Sequence, residues 1–569
     1  MEFHSLAGPL PSIPDDLTIP QFIFDYYTHP NRPTRDPNVP WLIDSDTGRK
    51  YSGEETRQRT YALANALKAR FDIAGEDSVV LVFSRNHIDY PITMWATFVL
   101  GGIISGANPD FAVNELLYQI NETKPAVLFV YPERLDTATE AARLAGIPSD
   151  RIIVFDVPSM SVHTKYPSVE QLVQEGLQSN QTFVERKLKP GEGKTKLAFL
   201  SFSSGTTGKP KAVAIPHYSV ITNVVQIAAH NKVNVDDSPW KDRRFRPGDV
   251  TIGVLPIYHI YGLVINLHFC LFSAMSIVMV QKFNFVGMLE SIMRYHISHL
   301  WLVPPQVILL CKHPATSQYD VRRHIRFIMS GAAPLSHEVN EQLYTMFPNA
   351  HIGQAYGMTE TCTATTMFSI KSKRGISGGS GILLPGMSAK VIKPDGTFAG
   401  YDEPGELLVR TPSIALGYVN NEQATKETFL NGWVKTGDEV KIARNGEEIM
   451  KVKGFQVAPA ELEGCLLDHE DVDNACVVGV PDDYSGEAPM AFVVLRPAAA
   501  ERISKNSNMA QEIKNSIIKH VADNKVAYKH LAGGVEIVSS IPTSPSGKLL
   551  RRVLRDQAKA MRAKVKSKL

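Results

Sequence analysis

Cysteine is scarce in this chain of 569 residues, and the few cysteines are scattered. They are Cys270, Cys311, Cys362, Cys465 and Cys476. No two of them form a Cys-x-x-Cys pair, so the spacing argues against both a disulfide framework and a zinc site. An odd number of isolated cysteines instead favours a reducing compartment.

The chain also lacks an excess of charge of either sign. It carries 60 Lys and Arg against 58 Asp and Glu, a net charge of +2, which gives no field that would attract nucleic acid. Its contents of 44% hydrophobic and 21% charged residues are ordinary for a soluble globular protein. The length exceeds that of a single core and predicts two or more domains.

Long uninterrupted hydrophobic runs are missing too. The N-terminus has no basic region followed by an apolar core, so we expect no signal peptide. Residues 94–107 are apolar but short and broken by glycine, and residues 263–280 contain Asn266, His268 and Ser273. The second stretch predicts a buried helix followed by a strand, and we expect no stable membrane insertion.

Apolar periodicity predicts an α/β fold. Helical spacing at 55–75, 86–101 and 136–144 alternates with apolar strands at 78–83, 126–130 and 151–155. This alternation, which resumes across 217–330, predicts parallel sheets covered by helices on both faces. Short segments with Gly and Pro turns between 375 and 435 predict a small β-barrel or sandwich.

The pattern changes after about residue 440. Helices are predicted at 459–467 and 509–523, and strands at 475–480, 490–495 and 535–538. We interpret this as a compact α+β domain. The sequence thus predicts a large N-terminal domain over residues 1–438 and a smaller C-terminal domain over residues 439–569, with a basic tail from 551 that is helical or frayed.

Residues 201–211, Ser-Phe-Ser-Ser-Gly-Thr-Thr-Gly-Lys-Pro-Lys, are the richest segment in binding groups. Apolar runs at 197–200 and 212–215 flank them and predict a strand, a turn and a second strand. Glycines let backbone N–H groups converge on an anion, while hydroxyls add donors and lysines add charge. The segment indicates a polyphosphate site, although it lacks the spacing of a Walker loop. The alternative is a polar hairpin turn.

Seven further motifs follow in order. They are LPIYHIYG at 255–262, SGAAPL at 330–335, QAYGMTE at 354–360, Gly405-Glu406, GWVKTGD at 432–438, KVKGFQVAPAELE at 451–463 and PTSPSGK at 542–548. Together with residues 201–211 they resemble the adenylate-forming (AMP-binding) superfamily, in particular acyl-CoA ligases similar to 4-coumarate–CoA ligase and beetle luciferase. The resemblance extends from about residue 40 to about residue 555.

The resemblance implies a reaction in two steps. A carboxylate attacks the α-phosphate of ATP and releases pyrophosphate, and the thiol of coenzyme A then attacks the acyl-adenylate. It also implies Mg²⁺ as a cofactor and a C-terminal lid domain that rotates between the steps. Such chemistry requires neutralised phosphate charge and a well-positioned attacking oxygen.

The resemblance assigns roles to individual residues. Thr359 binds the α-phosphate, Glu360 binds Mg²⁺ through its carboxylate, and Asp438 accepts hydrogen bonds from the ribose. Ala332, Ala333 and Tyr356 form the wall of the adenine site. The remaining cofactor-binding residues are Ser203, Ser204, Gly205, Thr206, Thr207, Gly208, Lys209, Lys211, Gln354, Gly357, Lys453 and Gly454.

Four residues carry the implied catalytic roles. Lys548 bridges the incoming carboxylate and the α-phosphate through a compact ammonium group. His259 borders the acyl carboxylate and the path by which pyrophosphate leaves. Lys451 and Gln456 face the site, together with Lys453 and Gly454, when the lid domain turns to form the thioester.

The acyl pocket implied by the same motifs is apolar. Its members are Tyr261, Ile265, Met329, Gly331, Met358 and Ile382. Ile265 stands where hydroxycinnamate ligases tend to have a small polar residue, which favours a medium-chain or aryl-alkyl acid over a phenolic one. We therefore expect a small-molecule carboxylic acid as the substrate.

One departure from the family pattern concerns the linker between the domains. Related ligases have a β-hairpin ending in Val-Asp-Arg-x-Lys-Glu between the equivalents of Asp438 and Lys451, and about eight of those residues are missing here. The missing part contains the ribose-binding Arg and the hinge residue, and Arg444 does not replace them. A natural deletion predicts weaker ATP binding and restricted domain rotation, whereas the clean junction at Gly446-Glu-Glu-Ile-Met favours an error in the gene model.

Two alternatives to a CoA ligase therefore stay open at the level of the sequence. One is a catalytically impaired nucleotide- or acyl-binding protein, because the hinge is shortened. The other is an adenylating enzyme whose acceptor is a carrier protein, which is disfavoured because no carrier domain follows the C-terminal domain.

The final tripeptide predicts a location. Ser567-Lys568-Leu569 matches the address read by the peroxisomal import receptor. Together with an apolar acyl pocket, it suggests acyl activation in the peroxisome, for β-oxidation or for the side chain of a secondary metabolite.

Overall fold

The computed structural model describes residues 1–73, 78–158, 160, 165–203, 210–335, 337–444, 449–451, 459–482, 486–506, 508–525, 529–543 and 549–566. Within them, two large sheets dominate the N-terminal domain. The first has seven strands, in spatial order Gly417–Tyr418, Lys211–Pro216, Leu197–Ser203, Ile103–Ala107, Val79–Phe83, Val127–Val130 and Ile152–Val154. The last five of these strands are parallel, as the alternation of helices and strands predicts.

The second large sheet has nine strands. Their order is Ile382–Leu383, Thr363–Met367, His351–Met358, Phe327–Ser330, His299–Leu302, Val250–Gly253, Ser276–Met279, Leu42–Asp44 and Lys50–Tyr51. The six strands from His351–Met358 to Leu42–Asp44 pair in parallel. The motifs at 330–335 and 354–360 therefore lie at the same edge, where neighbouring parallel strands end.

A third, antiparallel sheet contains the short strands predicted after residue 375. It runs Glu2–His4, Ser388–Ile392, Gly405–Arg410 and Trp433–Ile442, and the last of these strands pairs with Phe429–Leu430 at its start and Ile449–Lys451 at its end. The sheet extends past Asp438, and the domain boundary at residue 438 stays a prediction. The N-terminal strand was not expected from the sequence.

The C-terminal domain has a sheet of three strands, Val472–Asp482, Gly486–Leu495 and Gly534–Ile537. The side chains of Leu462, Leu466 and Ile517 bury one of its faces. The basic tail begins as the helix Arg551–Lys566. Leu554 and Ala558 of this helix pack against the apolar side chains on the other face of the sheet. The predicted α+β arrangement is confirmed.

The α-helices cover the sheets and have the following bounds. They are Ile19–Phe24, Gly53–Phe71, Tyr90–Val99, Val113–Thr123, Leu135–Leu144, Val169–Gln178, His217–His230, Cys270–Phe272, Phe285–Tyr295, Pro304–Lys312, His337–Met346, Glu422–Thr428, Pro459–Leu467, Pro497–Lys505, Met509–Asn524 and Arg551–Lys566. A π-helix spans Tyr261–Phe269 and is buried throughout.

The apolar stretch at 263–280 forms a buried helical segment and the strand Ser276–Met279, as predicted. A membrane-crossing helix would have to be longer and more continuously apolar than any found among the described residues.

Contacts between the two domains involve charged and apolar groups. Lys312 forms an ion pair with Asp468, and Lys525 Nζ lies 2.8 Å from Glu338 Oε1. Ile308 packs against the core of the C-terminal domain. These contacts hold the C-terminal domain against the helices Pro304–Lys312 and His337–Met346.

Four histidines are fully buried in the N-terminal domain. Burial lowers the pKa of His217 to about 3 and the pKa values of His230, His268 and His299 to about 4. The His268 ring accepts a hydrogen bond from Trp95 Nε1 at 3.2 Å and donates to the Leu263 carbonyl oxygen at 2.8 Å, so its contacts select the neutral form.

Acid is therefore expected to destabilise the fold before most carboxylates titrate. Between about pH 6.5 and about pH 4 the unfolded histidines bind protons that the folded ones do not, so each lowers the free energy of unfolding by about 1.4 kcal/mol per pH unit as the pH falls. Urea unfolding at a series of pH values measures this slope. A free energy of unfolding that stays constant from about pH 7 to about pH 5 would contradict it.

Candidate active site

The base of the predicted phosphate loop is an antiparallel hairpin. The strands Leu197–Ser203 and Lys211–Pro216 pair so that Ser203 lies opposite Lys211, which confirms the two predicted strands. The Lys211 ammonium lies 5.0 Å from the centroid of the Tyr418 ring. The turn itself, with Ser204, Gly205, Thr206, Thr207, Gly208 and Lys209, lies outside the described residues.

Glu360 is held close to this hairpin. It follows the strand His351–Met358 in the short 3₁₀ turn Thr359–Thr361, and it is only 5% exposed. The Tyr418 hydroxyl donates to Glu360 Oε1 at 2.8 Å. Burial, and then the Glu360 carboxylate, raise the pKa of the Tyr418 phenol, which therefore stays a donor. Tyr418 thus links the predicted metal ligand to the lysine at the base of the phosphate loop.

A strained turn connects Glu360 to His259. Cys362 and Thr363 have φ values of 57° and 96°, in the left-handed region that residues with a Cβ rarely adopt. Thr363 Oγ1 donates to the Ile260 carbonyl oxygen at 2.9 Å. The backbone N–H of Tyr261 donates to His259 Nδ1 at 3.2 Å, so the proton of the neutral ring resides on Nε2. Sequence reasoning missed Tyr418 and Thr363.

The predicted adenine wall is a tight turn after the strand Phe327–Ser330. Ala332 has a φ of 68°, and the Gly331 N–H donates to the Leu302 carbonyl oxygen at 3.1 Å. Gln354 Oε1 accepts from the Leu335 N–H at 2.9 Å. Gln354 therefore positions this turn, and its contact with the nucleotide stays a prediction. Ala333 lies in the same turn, half-buried.

Tyr356 and Asp438 meet although they are far apart in sequence. The Tyr356 hydroxyl donates to Asp438 Oδ2 at 2.8 Å, and the Asp438 N–H donates to Thr436 Oγ1. Burial, and then the Asp438 charge, raise the pKa of Tyr356 well above its ordinary value. Beside them, a Cβ on Gly357 would lie 1.6 Å from the Thr363 carbonyl oxygen, so only glycine fits there.

Loss of the Tyr356 hydroxyl is expected to weaken ATP binding. A hydrogen bond to a charged group is worth about 1.5–3 kcal/mol, so Tyr356→Phe should raise the KM for ATP by about 10-fold or more with little change in kcat. Steady-state kinetics of Tyr356→Phe, Asp438→Asn and the double variant measure the effect. Strictly additive losses would show that the pair does not act as a unit.

Part of the predicted acyl pocket comes together around Tyr261. Its hydroxyl donates to the Met329 carbonyl oxygen at 3.5 Å, and a Cβ on Gly331 would lie 3.0 Å from the Tyr261 ring. Ile265 follows on the buried π-helix. Ile382 lies on an outer strand of the same sheet, opposite Met367, and Met358 ends the strand that leads to Glu360.

The remaining predicted residues belong to the linker and the C-terminal domain. Lys548, Gln456, Lys453 and Gly454 lie outside the described residues. The backbone of Lys451 lies on the strand Ile449–Lys451, opposite Val440.

This strand fixes the linker to the N-terminal domain. It lies between Trp433–Ile442 on one side and residues 380–381 on the other, where Ser380 N–H donates to the Ile449 carbonyl oxygen at 2.9 Å and Ile449 N–H donates to the Gly381 carbonyl oxygen at 3.1 Å. The Ile449 side chain is part of the main core. Backbone hydrogen bonds on both edges oppose movement of this segment.

Comparisons with known proteins agree with this geometry. The family model described as "AMP-binding enzyme" matches residues 30–419, and the model "AMP-binding enzyme C-terminal domain" matches residues 461–548. The chain belongs to the AMP-binding enzyme family. It is an acid–thiol ligase of the AMP-forming class, with the ATP-binding, adenylate-forming fold.

Relatives of this AMP-binding enzyme are named as ligases. Acyl-CoA ligase easD of Emericella nidulans is 31% identical over 568 residues, covering 95% of this chain and 97% of that protein. Probable 4-coumarate–CoA ligase 1 of Dictyostelium discoideum is 33% identical over 542 residues, covering 91% and 92%. The crystal structure of anthranilate CoA ligase AuaEII with anthranoyl-AMP superposes with a TM-score of 0.77 at 21% identity, covering 97% and 99%, which shows the shared fold.

Proposed function

We propose that this enzyme joins a medium-chain or aryl-alkyl carboxylic acid to coenzyme A through an acyl-adenylate, with ATP and Mg²⁺. The observation that carries the proposal is the cluster at the carboxyl end of the strand His351–Met358. There Tyr356, which is paired with Asp438, and Glu360, which is paired with Tyr418, lie on one chain segment, and Tyr418 also contacts Lys211 of the hairpin that bears the phosphate loop.

In this arrangement different residues bind the ribose, the adenine and the phosphates of the nucleotide. Asp438 accepts hydrogen bonds from the ribose, the turn at Ala332 and Ala333 borders the adenine, and Thr359 donates to the α-phosphate. Lys211 adds positive charge at the base of the phosphate loop. His259, linked to the Glu360 turn through Ile260 and Thr363, borders the carboxylate of the acid. The attack then needs little more than correct orientation and neutralised charge.

Glu360 has the properties of a magnesium ligand. Mg²⁺ prefers carboxylate oxygens and reaches proteins through one or two of them. Glu360 is a buried carboxylate oriented by the Tyr418 hydroxyl, so its position is fixed before a cation binds. The cation supplies neutralisation of the phosphate charge when it is bound.

Glu360→Gln is expected to raise the Mg²⁺ concentration needed for half-maximal activity by about 10-fold or more, because a neutral amide replaces the charged ligand. Titrating pyrophosphate release with Mg²⁺ measures this. The nearby surface variant Glu422→Gln is the matched control and should leave the titration unchanged. An equal Mg²⁺ requirement in the wild type, Glu360→Gln and Glu422→Gln would show that Glu360 is not a magnesium ligand.

The acid class is tested with a panel of aliphatic and aryl-alkyl carboxylic acids. Pyrophosphate release is measured with ATP and Mg²⁺, first without and then with coenzyme A. Release that requires an apolar acid and rises with coenzyme A supports the proposal. Preference for hydroxycinnamic acids would overturn the assigned acid class, and release unaffected by coenzyme A would point to another acceptor.

The strand Ile449–Lys451 favours a second candidate, an enzyme impaired in the thioester step. This strand is bonded on both edges, and the ion pairs Lys312–Asp468 and Lys525–Glu338 hold the C-terminal domain in place. Rotation of that domain would have to break these contacts. In this candidate the acyl-adenylate forms and stays bound, and the protein acts mainly in binding the nucleotide and the acyl group.

We also propose that Ser567-Lys568-Leu569 directs the protein to the peroxisome through the import receptor. The support is the tripeptide itself, which follows a basic segment containing Lys564 and Lys566 in the sequence. A fluorescent fusion that keeps the tripeptide at its free C-terminus should colocalise with a peroxisomal marker. Identical distribution after Leu569→Arg would contradict the proposal.

A further inference from the structure

The buried π-helix beside Tyr261 carries a polar side chain, Asn266, that has only a weak partner in the Cys270 thiol. Asn266 is 3% exposed, and neither Nδ2 nor Oδ1 of its side chain has a hydrogen-bond partner among the described residues. Buried polar groups are almost always paired, because leaving them unpaired forfeits their hydration. A conserved fold can nevertheless keep such a group where a ligand completes it.

The geometry of the helix directs Asn266 toward the predicted acyl pocket. In a π-helix, hydrogen bonds join residues five apart, so Tyr261 and Asn266 share one side, and Cys270 follows one turn later. Segments of this kind are frequent at functional sites. Tyr261 is the residue that contacts Met329 and Gly331.

A second unpartnered group comes from the neighbouring sheet. Trp301 Nε1–H is buried without a hydrogen-bond partner among the described residues. Trp301 lies directly opposite Met329 in the parallel pair of strands, so both side chains are on the same face. Phe269 of the π-helix packs edge-on against the Trp301 ring, with the centroids 5.9 Å apart. The π-helix therefore covers the face that carries Trp301 and Met329.

Cys270 shows that these groups are close to one another. Its thiol is within weak hydrogen-bonding reach of the side chains of Trp301, Asn266 and Thr251, and burial raises its pKa. Sulfur is a weak acceptor, and it leaves Asn266 and Trp301 without a normal hydrogen bond. The side chains that act on this thiol in the described part of the chain are all uncharged. A charged ligand group would find no counter-charge among these side chains, so a neutral group is favoured.

We infer that Asn266 and Trp301 form a polar subsite deep in the acyl pocket, which binds a hydroxyl group on the distal part of the acid. A hydroxyl both accepts from Trp301 Nε1–H or Asn266 Nδ2 and donates to Asn266 Oδ1, whereas a carbonyl would leave Oδ1 unpaired. The inference rests on the proposed function and narrows its substrate class to hydroxylated aliphatic or aryl-alkyl acids.

The experiment uses two non-hydrolysable acyl-adenylate analogues, the decanoyl and the ω-hydroxydecanoyl sulfamates of adenosine. Calorimetry with the full chain should show about 10-fold or more tighter binding of the hydroxylated analogue. Asn266→Leu should abolish or reverse this preference while it keeps affinity for the plain analogue. Ser273→Ala, which removes another buried unpartnered hydroxyl at the end of the same helical segment, is the matched control and should keep the preference.

Thermal unfolding provides a readout that does not depend on ligands. Asn266→Leu removes an unpaired buried amide and should therefore raise the Tm of the free protein. A lowered Tm would identify a variant that does not fold properly. Equal binding of the two analogues by the wild type would overturn the subsite and leave the proposed function standing. Binding of neither analogue would instead overturn the proposed function.

Discussion

Lys548→Ala is expected to lower acid-dependent pyrophosphate release by about 100-fold to about 1,000-fold. Lys548 is the last residue matched by the C-terminal family model, in the motif Pro-Ser-Gly-Lys. The resemblance places its ammonium between the incoming carboxylate and the α-phosphate, where it offsets charge that develops during the attack. Loss of one such preorganised group removes stabilisation from the transition state but little from the ground state.

The control for this prediction is Lys559→Ala. Lys559 is an exposed lysine on the helix Arg551–Lys566, so its removal changes the net charge by the same amount in the same domain. We expect full activity from this variant, and unchanged Tm values for both. A Lys548→Ala enzyme that retains more than about a third of the wild-type rate would refute the assigned role, because a transition-state contact costs far more.

Lengthening the linker is expected to accelerate the thioester step by about 10-fold and to leave adenylation unchanged. The insertion adds an eight-residue Gly/Ser segment between Gly446 and Glu447, about the length that the chain lacks. The strand Ile449–Lys451 now ties the linker to the N-terminal sheet on both edges. Extra chain ahead of this strand lengthens the loop between the two paired strands, so the strand can leave the sheet and turn with the C-terminal domain.

Single-turnover experiments separate the two rates. The acyl-adenylate is formed first, and coenzyme A is then added to measure its consumption. The same insertion after Gly396, an exposed turn with a φ of 83°, is the control and should change neither rate. If the lengthened linker leaves the consumption rate unchanged, the paired strand does not limit the thioester step.

The sequence predicts the scaffold well because its signals are local. Apolar strands such as Val79–Phe83 and helices such as Gly53–Phe71 follow from the spacing of their own residues. The strand Glu2–His4 was not predicted, because it is three residues long and pairs with Ser388–Ile392 far along the chain. A buried helix was predicted where the π-helix Tyr261–Phe269 lies, but its π-helical form was not, since a uniformly apolar segment shows no period.

In the candidate site, too, the residues within sequence motifs were predicted and those that depend on distant packing were not. The motifs at 354–360 and 432–438 predicted that Tyr356 and Asp438 belong to one site, and the structure brings them within 2.8 Å. Tyr418 and Thr363 stand outside those motifs, and their hydrogen bonds to Glu360 and Ile260 depend on how distant segments pack. Gln354 supports the turn at Leu335, which no spacing in the sequence could reveal.

The central claim is that the enzyme activates a carboxylic acid by adenylation and passes the acyl group to coenzyme A. The most direct measurement follows heavy oxygen from a carboxyl-labelled acid during one reaction with ATP and coenzyme A. We predict that one labelled oxygen per turnover appears in the phosphate of AMP, together with an equal amount of acyl-CoA. Label found in inorganic phosphate, or acyl-CoA formed without labelled AMP, would contradict the account.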